Sequence, residues 1–167
     1  MALNLPVGTM RKQAAIVKET DLKKQFTDLM YNGFNGYIVL TIDGYAGIEE
    51  GVFLFKNGII TGSLYEYTNF EITIFGDFAL QQSFNAAAAE FAVFDICDLS
   101  KQQVELIVAF NEKIQLAQQI SQRDVARYFK QKFDTSFAEK TLQQVVKKEV
   151  SKYDIFKKIG LTDISTK

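Results

Sequence analysis

The stretch Gly36–Tyr67 reads GYIVLTIDGYAGIEEGVFLFKNGIITGSLYEY, and its punctuation decides the fold class. Two dipeptides, Asp43-Gly44 and Asn57-Gly58, interrupt runs rich in Ile, Val, Phe, Leu and Tyr. Asn-Gly between apolar runs signals a hairpin, because a tight type I′ turn needs positive φ at both central residues. Asn tolerates that conformation and Gly has no Cβ to clash. The reading is therefore a pair of antiparallel strands, Val52–Lys56 and Ile59–Tyr65, preceded by a strand over Tyr37–Ile42. Gly44, Gly47 and Gly51 are read as turn formers.

Outward from this unit, the pattern alternates between helix and strand. A strand is expected over Ala14–Lys18. Thr20 is placed as the N-cap of a helix with Asp21 in its first turn. Leu22, Phe26 and Leu29 recur at helical spacing and should face the sheet, and Gly33 ends the helix. Downstream, Phe70, Ile72 and Ile74 alternate with Glu71 and Thr73, as a strand would. Glu66 and Glu71 look like charges that blunt a sheet edge. Asp77 would cap a helix from Phe78 to Glu90, with Ala86–Ala89 lying close on the sheet. Phe91–Leu99 reads as another strand.

Ser100 and Gln103 match a capping box. They open a helix read as far as Ile120, with Val104, Ile107, Phe110, Ile114 and Ala117 near one face. Further helices are expected with Val125, Phe129 and Phe133, then from Ser136-Glu139 with Leu142, Val145, Val146 and Val150. A last turn or two covers Ser151–Ile159, closed by Gly160. The expectation is an α+β protein: residues 1–99 form a mostly antiparallel sheet with packed helices, and residues 100–167 an all-helical region.

Composition bounds the chemistry. The chain has 167 residues, 47% of them apolar and 23% charged, which is ordinary for a globular domain. It contains no histidine, which removes the usual base near neutral pH and excludes Ser-His-Asp or Cys-His catalysis within the chain. The single Cys97 excludes an internal disulfide and a multi-cysteine metal site, and its apolar surroundings make it a small buried hydrophobe. The glycines fit neither a phosphate loop nor a dinucleotide fingerprint. Glu49 and Glu50, read as loop residues, could share a divalent cation with Asp43, but solvation explains them more simply. No catalytic residue, cofactor or metal site is expected. No leader pattern or apolar run of membrane-spanning length appears, so a cytoplasmic protein is the expectation.

The net charge of −1 is unevenly spread. Arg123–Lys158 holds ten basic and five acidic residues, a local balance of +5. Read as helix, short turn, helix, this segment would present Arg123, Arg127, Lys130, Lys140, Lys147 and Lys148 to nucleic acid. A solvated helical surface is the plainer reading. Without a catalytic constellation, the leading expectation is a non-catalytic interaction or signalling adaptor, binding a protein partner or itself through a sheet edge or the apolar helical end. A nucleic-acid-binding protein is the alternative.

Gly36-Tyr37-Ile38, Gly51–Phe55, Asn57–Gly62 and Gly76–Leu80, followed by a strand, resemble the PATAN-type domain. The chain also looks like an archaeal family of uncharacterised proteins related to that pattern. The resemblance covers roughly Leu22 to Leu99. It implies a signalling or protein-interaction module and carries over no catalytic residue.

Overall fold

The structure, a computed structural model, describes residues 5–45 and 47–144. The chain groups into one compact unit ending at Phe133 and a second beginning at Asp134.

Seven strands among the described residues form one antiparallel sheet: β1 (Thr9–Ile16), β2 (Gly36–Gly44), β3 (Gly47–Lys56), β4 (Ile59–Tyr67), β5 (Ile72–Phe75), β6 (Ala92–Asp98) and β7 (Gln115–Ile120). Their order is β1-β6-β2-β3-β4-β5, with β7 also paired to β4. The predicted hairpin is present and longer than expected at both ends. Asn57 and Gly58 take φ of 50° and 73°, and Gly58 donates its N–H to Phe34 O at 2.8 Å. A side chain at Gly58 would strike the Met30 carbonyl, so this turn needs glycine for room as well as for φ.

Strand alternation gives the sheet two different faces. Residues opposite one another share a face, so the register Leu40↔Gly51↔Tyr65 and Ile38↔Phe53 defines one side. That side is covered by α1 (Leu22–Tyr31) and α2 (Gly76–Ala86), whose buried residues include Phe26, Leu29, Ala79 and Phe84. Its packing is aromatic. Phe26 meets Phe53 edge-on at 4.9 Å between ring centroids, and Phe84 meets Phe53 at 4.9 Å and Phe129 at 5.0 Å. The other side is aliphatic. Val39, Val52, Leu54, Leu64 and Cys97 pack with Val104 and Ile107 of α3 (Lys101–Phe110).

Several expected elements shift for identifiable reasons. The first strand is β1, and Val17–Glu19 form a 3₁₀ turn. Asp21, not Thr20, caps α1, accepting a bond from Lys24 N at 2.9 Å. Glu66 is no edge guard, because β4 is an inner strand and Glu66 is buried. Helix α2 ends where the alanines begin: Ala87, Ala88 and Ala89 donate to Ser83, Asn85 and Ala86 carbonyls and turn the chain into β6. Gly51 is no turn former. It lies mid-strand under α2, where an added Cβ would sit 2.6 Å from Ser83 Oγ.

The all-helical region expected from residue 100 is not what the described residues form. Helix α3 stops at Asn111 (φ −140°, ψ 63°), and after a 3₁₀ turn over Glu112–Ile114 the chain runs as β7 along the part of β4 that β5 leaves open. The helix expected through Phe133 is a single turn, α4 (Gln122–Val125). Residues 100–133 belong to the same compact unit as the sheet. In the second unit the backbone is helical from 136 to 144. Asp134 Oδ1 accepts Ser136 N at 2.9 Å, so the helix entry is organised by Asp134 and not by the expected Ser136-Glu139 box. Val145, Val146, Val150 and the turns expected up to Gly160 lie outside the described residues.

Of the outer strands, β1 and β7 are irregular and β5 is not. In β1 the register shifts twice, Ala14 takes φ 47°, and its N–H donates to Asp95 Oδ1 at 2.6 Å. In β7 the register shifts between its two pairs with β4, and Ala117 N–H donates to both oxygens of Asp77 at 3.3 Å.

Candidate functional site

Two features stand out against the ordinary core. The first is a buried polar centre beneath α2. Glu49 is a strand residue, third in β3, and period-two alternation turns it toward α2 together with Gly51 and Phe53. Its carboxylate accepts the Tyr65 hydroxyl at 2.5 Å and the Tyr45 backbone N–H at 2.7 Å. Burial, followed by the Glu49 charge, pushes the Tyr65 phenol well above its usual range. Tyr67 lies edge-on to Tyr65 at 5.3 Å. From α2, Asn85 Nδ2 donates to Gln82 Oε1 at 3.1 Å, and Gln82 faces the Tyr65 hydroxyl. Gln82 Nε2 and Ser83 Oγ are buried and meet no partner at hydrogen-bond geometry.

A carboxylate beside a phenol is a fair description of an acid–base pair, but such a pair must touch its substrate. Glu49 is 1% exposed and Tyr65 0%. No substrate atom reaches either without lifting α2. What this arrangement does as it stands is tie the β2–β3 turn to β4: from β3, Glu49 accepts the Tyr45 backbone N–H of the turn and the buried Tyr65 hydroxyl of β4. The cation site considered for Asp43, Glu49 and Glu50 does not assemble, because Asp43 and Glu50 face the opposite side of the sheet from Glu49. No group of three potential ligands gathers among the described residues. A cavity of about 10 Å³ lined by Leu5, Val52, Leu54, Ser63, Leu64, Ile107 and Ile114 lies on the α3 side, and it holds one water at most.

The second feature is the outer face of α3. The capping box is present as read: Gln103 N donates to Ser100 Oγ at 3.1 Å and Ser100 N to Gln103 Oε1 at 2.8 Å. At 100° per residue, Val104, Ile107 and Val108 form the stripe against the sheet. Leu106 and Phe110 lie on the other side of the helix, 55% and 82% exposed, with Gln102 and Ala109 beside them. The helix thus carries a second apolar stripe that packs on nothing in its own unit's core. Sequence reasoning placed Phe110 inward. The phase fixed by Val104 and Ile107 from the capping box onward was the signal that puts it out. Glu105, at the stripe's margin, pairs with Lys56 at 2.9 Å, and that lysine holds its carboxyl below the ordinary value.

Residues 3–111 match the model of an uncharacterised protein family conserved in archaea, DUF2226. The chain belongs to this family. No curated protein and no solved structure matches it. The DUF2226 match takes in the sheet through β6, the buried polar centre and the whole of α3, and ends at Asn111, one residue past that helix. The basic residues singled out in the sequence lie beyond it. Arg123 is exposed in α4, Arg127 is ion-paired with Asp124, and Lys130 is exposed in the irregular segment that follows. Lys140 stands in the helix of the second unit, and Lys147 and Lys148 lie outside the described residues. Over Arg123–Phe133 the first helix of the expected helix-turn-helix does not form beyond α4. Among the described residues of DUF2226 character and beyond, no helix is long and apolar enough to cross a membrane.

Proposed function

We propose that this DUF2226 protein is a non-catalytic protein-interaction module that docks through the outer stripe of α3. The exposure of Phe110, four residues from an exposed Leu106 on a helix whose inner stripe is already satisfied, carries the reading. Exposed apolar residues in contiguous pairs mark binding surfaces more often than scattered single ones, and aromatic anchors dominate interface energetics. The order of glycine-led strands and hairpin turn from Gly36 to Leu80 resembles the PATAN-type pattern, and that likeness supports an adaptor or signalling role. The sealed state of Glu49 and Tyr65 is consistent with a structural polar centre.

The test is the double variant Leu106→Asp/Phe110→Asp, followed by size-exclusion chromatography of purified protein and of native cell extract. Wild type is expected in a species heavier than the monomer, and the variant at monomer mass with an unchanged circular dichroism spectrum. Wild type at monomer mass under both conditions would remove the reading. A gel shift that weakens steeply with salt would replace it by nucleic-acid binding through the basic residues.

A further inference from the structure

We infer that β1 is a charge-latched strap: it bows away from β6 while the chain on either side of it stays seated, and so uncovers the outer backbone edge of β6. Backbone, burial and anchoring point the same way.

The two edges of β6 are paired very differently. On its inner side β6 runs along β2 without a slip, from Gly36↔Asp98 to Ile42↔Ala92. On its outer side the register with β1 slips between Met10 and Lys12, and again between Lys12 and Ala15. At the second slip Ala14 takes φ 47°, a left-handed conformation that costs energy in a residue with a Cβ. Opening relieves it. Burial opposes opening only weakly. No side chain of β1 is buried, and its largest apolar residues, Met10 and Ile16, are 46% and 45% exposed. A segment with so little apolar surface to lose opens locally, well below the free energy of global unfolding.

Polar and ionic contacts hold the strap instead. Arg11 pairs with Asp98, donating from Nε at 2.9 Å, and lies over the Phe34 ring at 5.2 Å. Lys12 donates to Gln25 Oε1 at 2.9 Å and lies over the Phe94 ring at 5.5 Å. Ala14 N–H is held by Asp95 Oδ1. Just beyond β1, Lys18 pairs with Glu90 at 3.3 Å. Cations of the strap thus meet carboxylates on β6 or next to it. Both ion pairs are open to water, so salt screens them.

The flanks are seated by other means. Before β1, Leu5 packs on the aliphatic side of the sheet, and Pro6 O accepts the Tyr37 hydroxyl at 3.2 Å. Gly8 lies so close to β6 that an added Cβ would strike the Asp98 carbonyl. After β1, Asp21 caps α1 and Leu22 is buried. The strap is therefore fixed at both ends. It opens as a loop and leaves β6 on β2.

Hydrogen exchange of the wild-type chain, followed amide by amide by NMR, tests this. The β1 amides should exchange roughly a hundred-fold or more faster than those of β2 and β3. In β6 the protection should alternate: amides facing β1 share its fast exchange, and those facing β2 keep the slow rate. Raising NaCl from about 0.05 M to about 1 M should speed β1 exchange by about two- to five-fold relative to β2. Arg11→Ala at low salt should do the same, with the urea midpoint of global unfolding nearly unchanged. Exchange of β1 in step with β2 and β3 would overturn the strap. Uniform loss of protection along β6 would overturn its opening as a loop, since β6 would then leave with it. A β1 rate indifferent to both salt and Arg11→Ala would overturn the charge latch.

Discussion

The two helical layers on either side of the sheet invert the usual placement of polarity. Under α1 and α2 the protein hides a carboxylate, a phenol and amide side chains beside a cluster of phenylalanines. On the α3 side the interior is plainly aliphatic, and the outside carries Leu106 and Phe110 in water. The buried polar groups join separate segments: Glu49 of β3 accepts the Tyr65 hydroxyl of β4 and the Tyr45 amide of the turn. The exposed apolar groups look like ordinary core residues by composition, yet they touch no core. Hydrogen bonding accounts for Glu49 and Tyr65 within the molecule, whereas the exposure of Leu106 and Phe110 is what the docking proposal rests on.

The contrast can be broken most decisively with phenylalanines. Phe84→Ala removes a ring in contact with Phe26, Phe53 and Phe129 and is expected to cost about 3–5 kcal/mol in urea denaturation. Phe110→Ala should stay within about 0.5 kcal/mol of wild type. Equal losses would mean that the outer stripe is core after all. Next in size is Glu49→Ala. It strips the buried Tyr65 hydroxyl and the part-buried Tyr45 amide of their acceptor and should cost about 3 kcal/mol, whereas Glu49→Gln, which keeps one acceptor oxygen, should cost less. Hydrogen exchange at the Tyr45 amide should quicken in Glu49→Ala before the amides of β2 do. An unchanged rate there would argue against the clamp.

A smaller effect is expected at the helix–sheet contact. Gly51→Ala places a methyl against Ser83 Oγ and Tyr65, for a loss of about 1–3 kcal/mol. Combined with Ser83→Gly, the two changes should show a positive coupling energy in a double-mutant cycle. Additive losses would show that α2 does not rest on that glycine. The smallest effect concerns pH. Lys56 depresses the Glu105 carboxyl, so the pair's stabilisation is complete above the ordinary carboxylate range and disappears as pH falls through the depressed value. Lys56→Ala should let the Glu105 titration, followed by carbon-detected NMR, move back up. No movement would mean that the ion pair does not persist in solution.

Local chemistry was the legible part of this sequence. Asn57-Gly58 fixed a hairpin whose conformational demand is met nowhere else nearby, and Ser100-Gln103 fixed a helix start, because both signals are written in adjacent residues. Long-range pairing was not. The apolar spacing Val104, Ile107, Phe110, Ile114, Ala117 continues a helical period past the point where the helix stops. What decides for a strand at Gln115–Ile120 is an open stretch of β4 more than fifty residues away in sequence. The candidate site suffered from the same limit. Starting β3 at Val52 left Glu49 in a loop, where it suggested a cation. Starting it at Gly47 puts Glu49 in phase with Gly51 and Phe53, facing inward. Tyr65, Gln82 and Ser83 join it only through folding and carry no motif of their own. The basic residues shared a stretch of sequence, and their spacing along a single turn, an irregular segment and a separate unit could not be read from charge alone.

Two of the outer strands spend a backbone amide on an aspartate of a neighbouring element: Ala14 of β1 on Asp95 of β6, and Ala117 of β7 on Asp77 of α2. In both strands the bond falls where the ladder slips register. A carboxylate thus takes the place of a missing rung, and the slip leaves that amide satisfied.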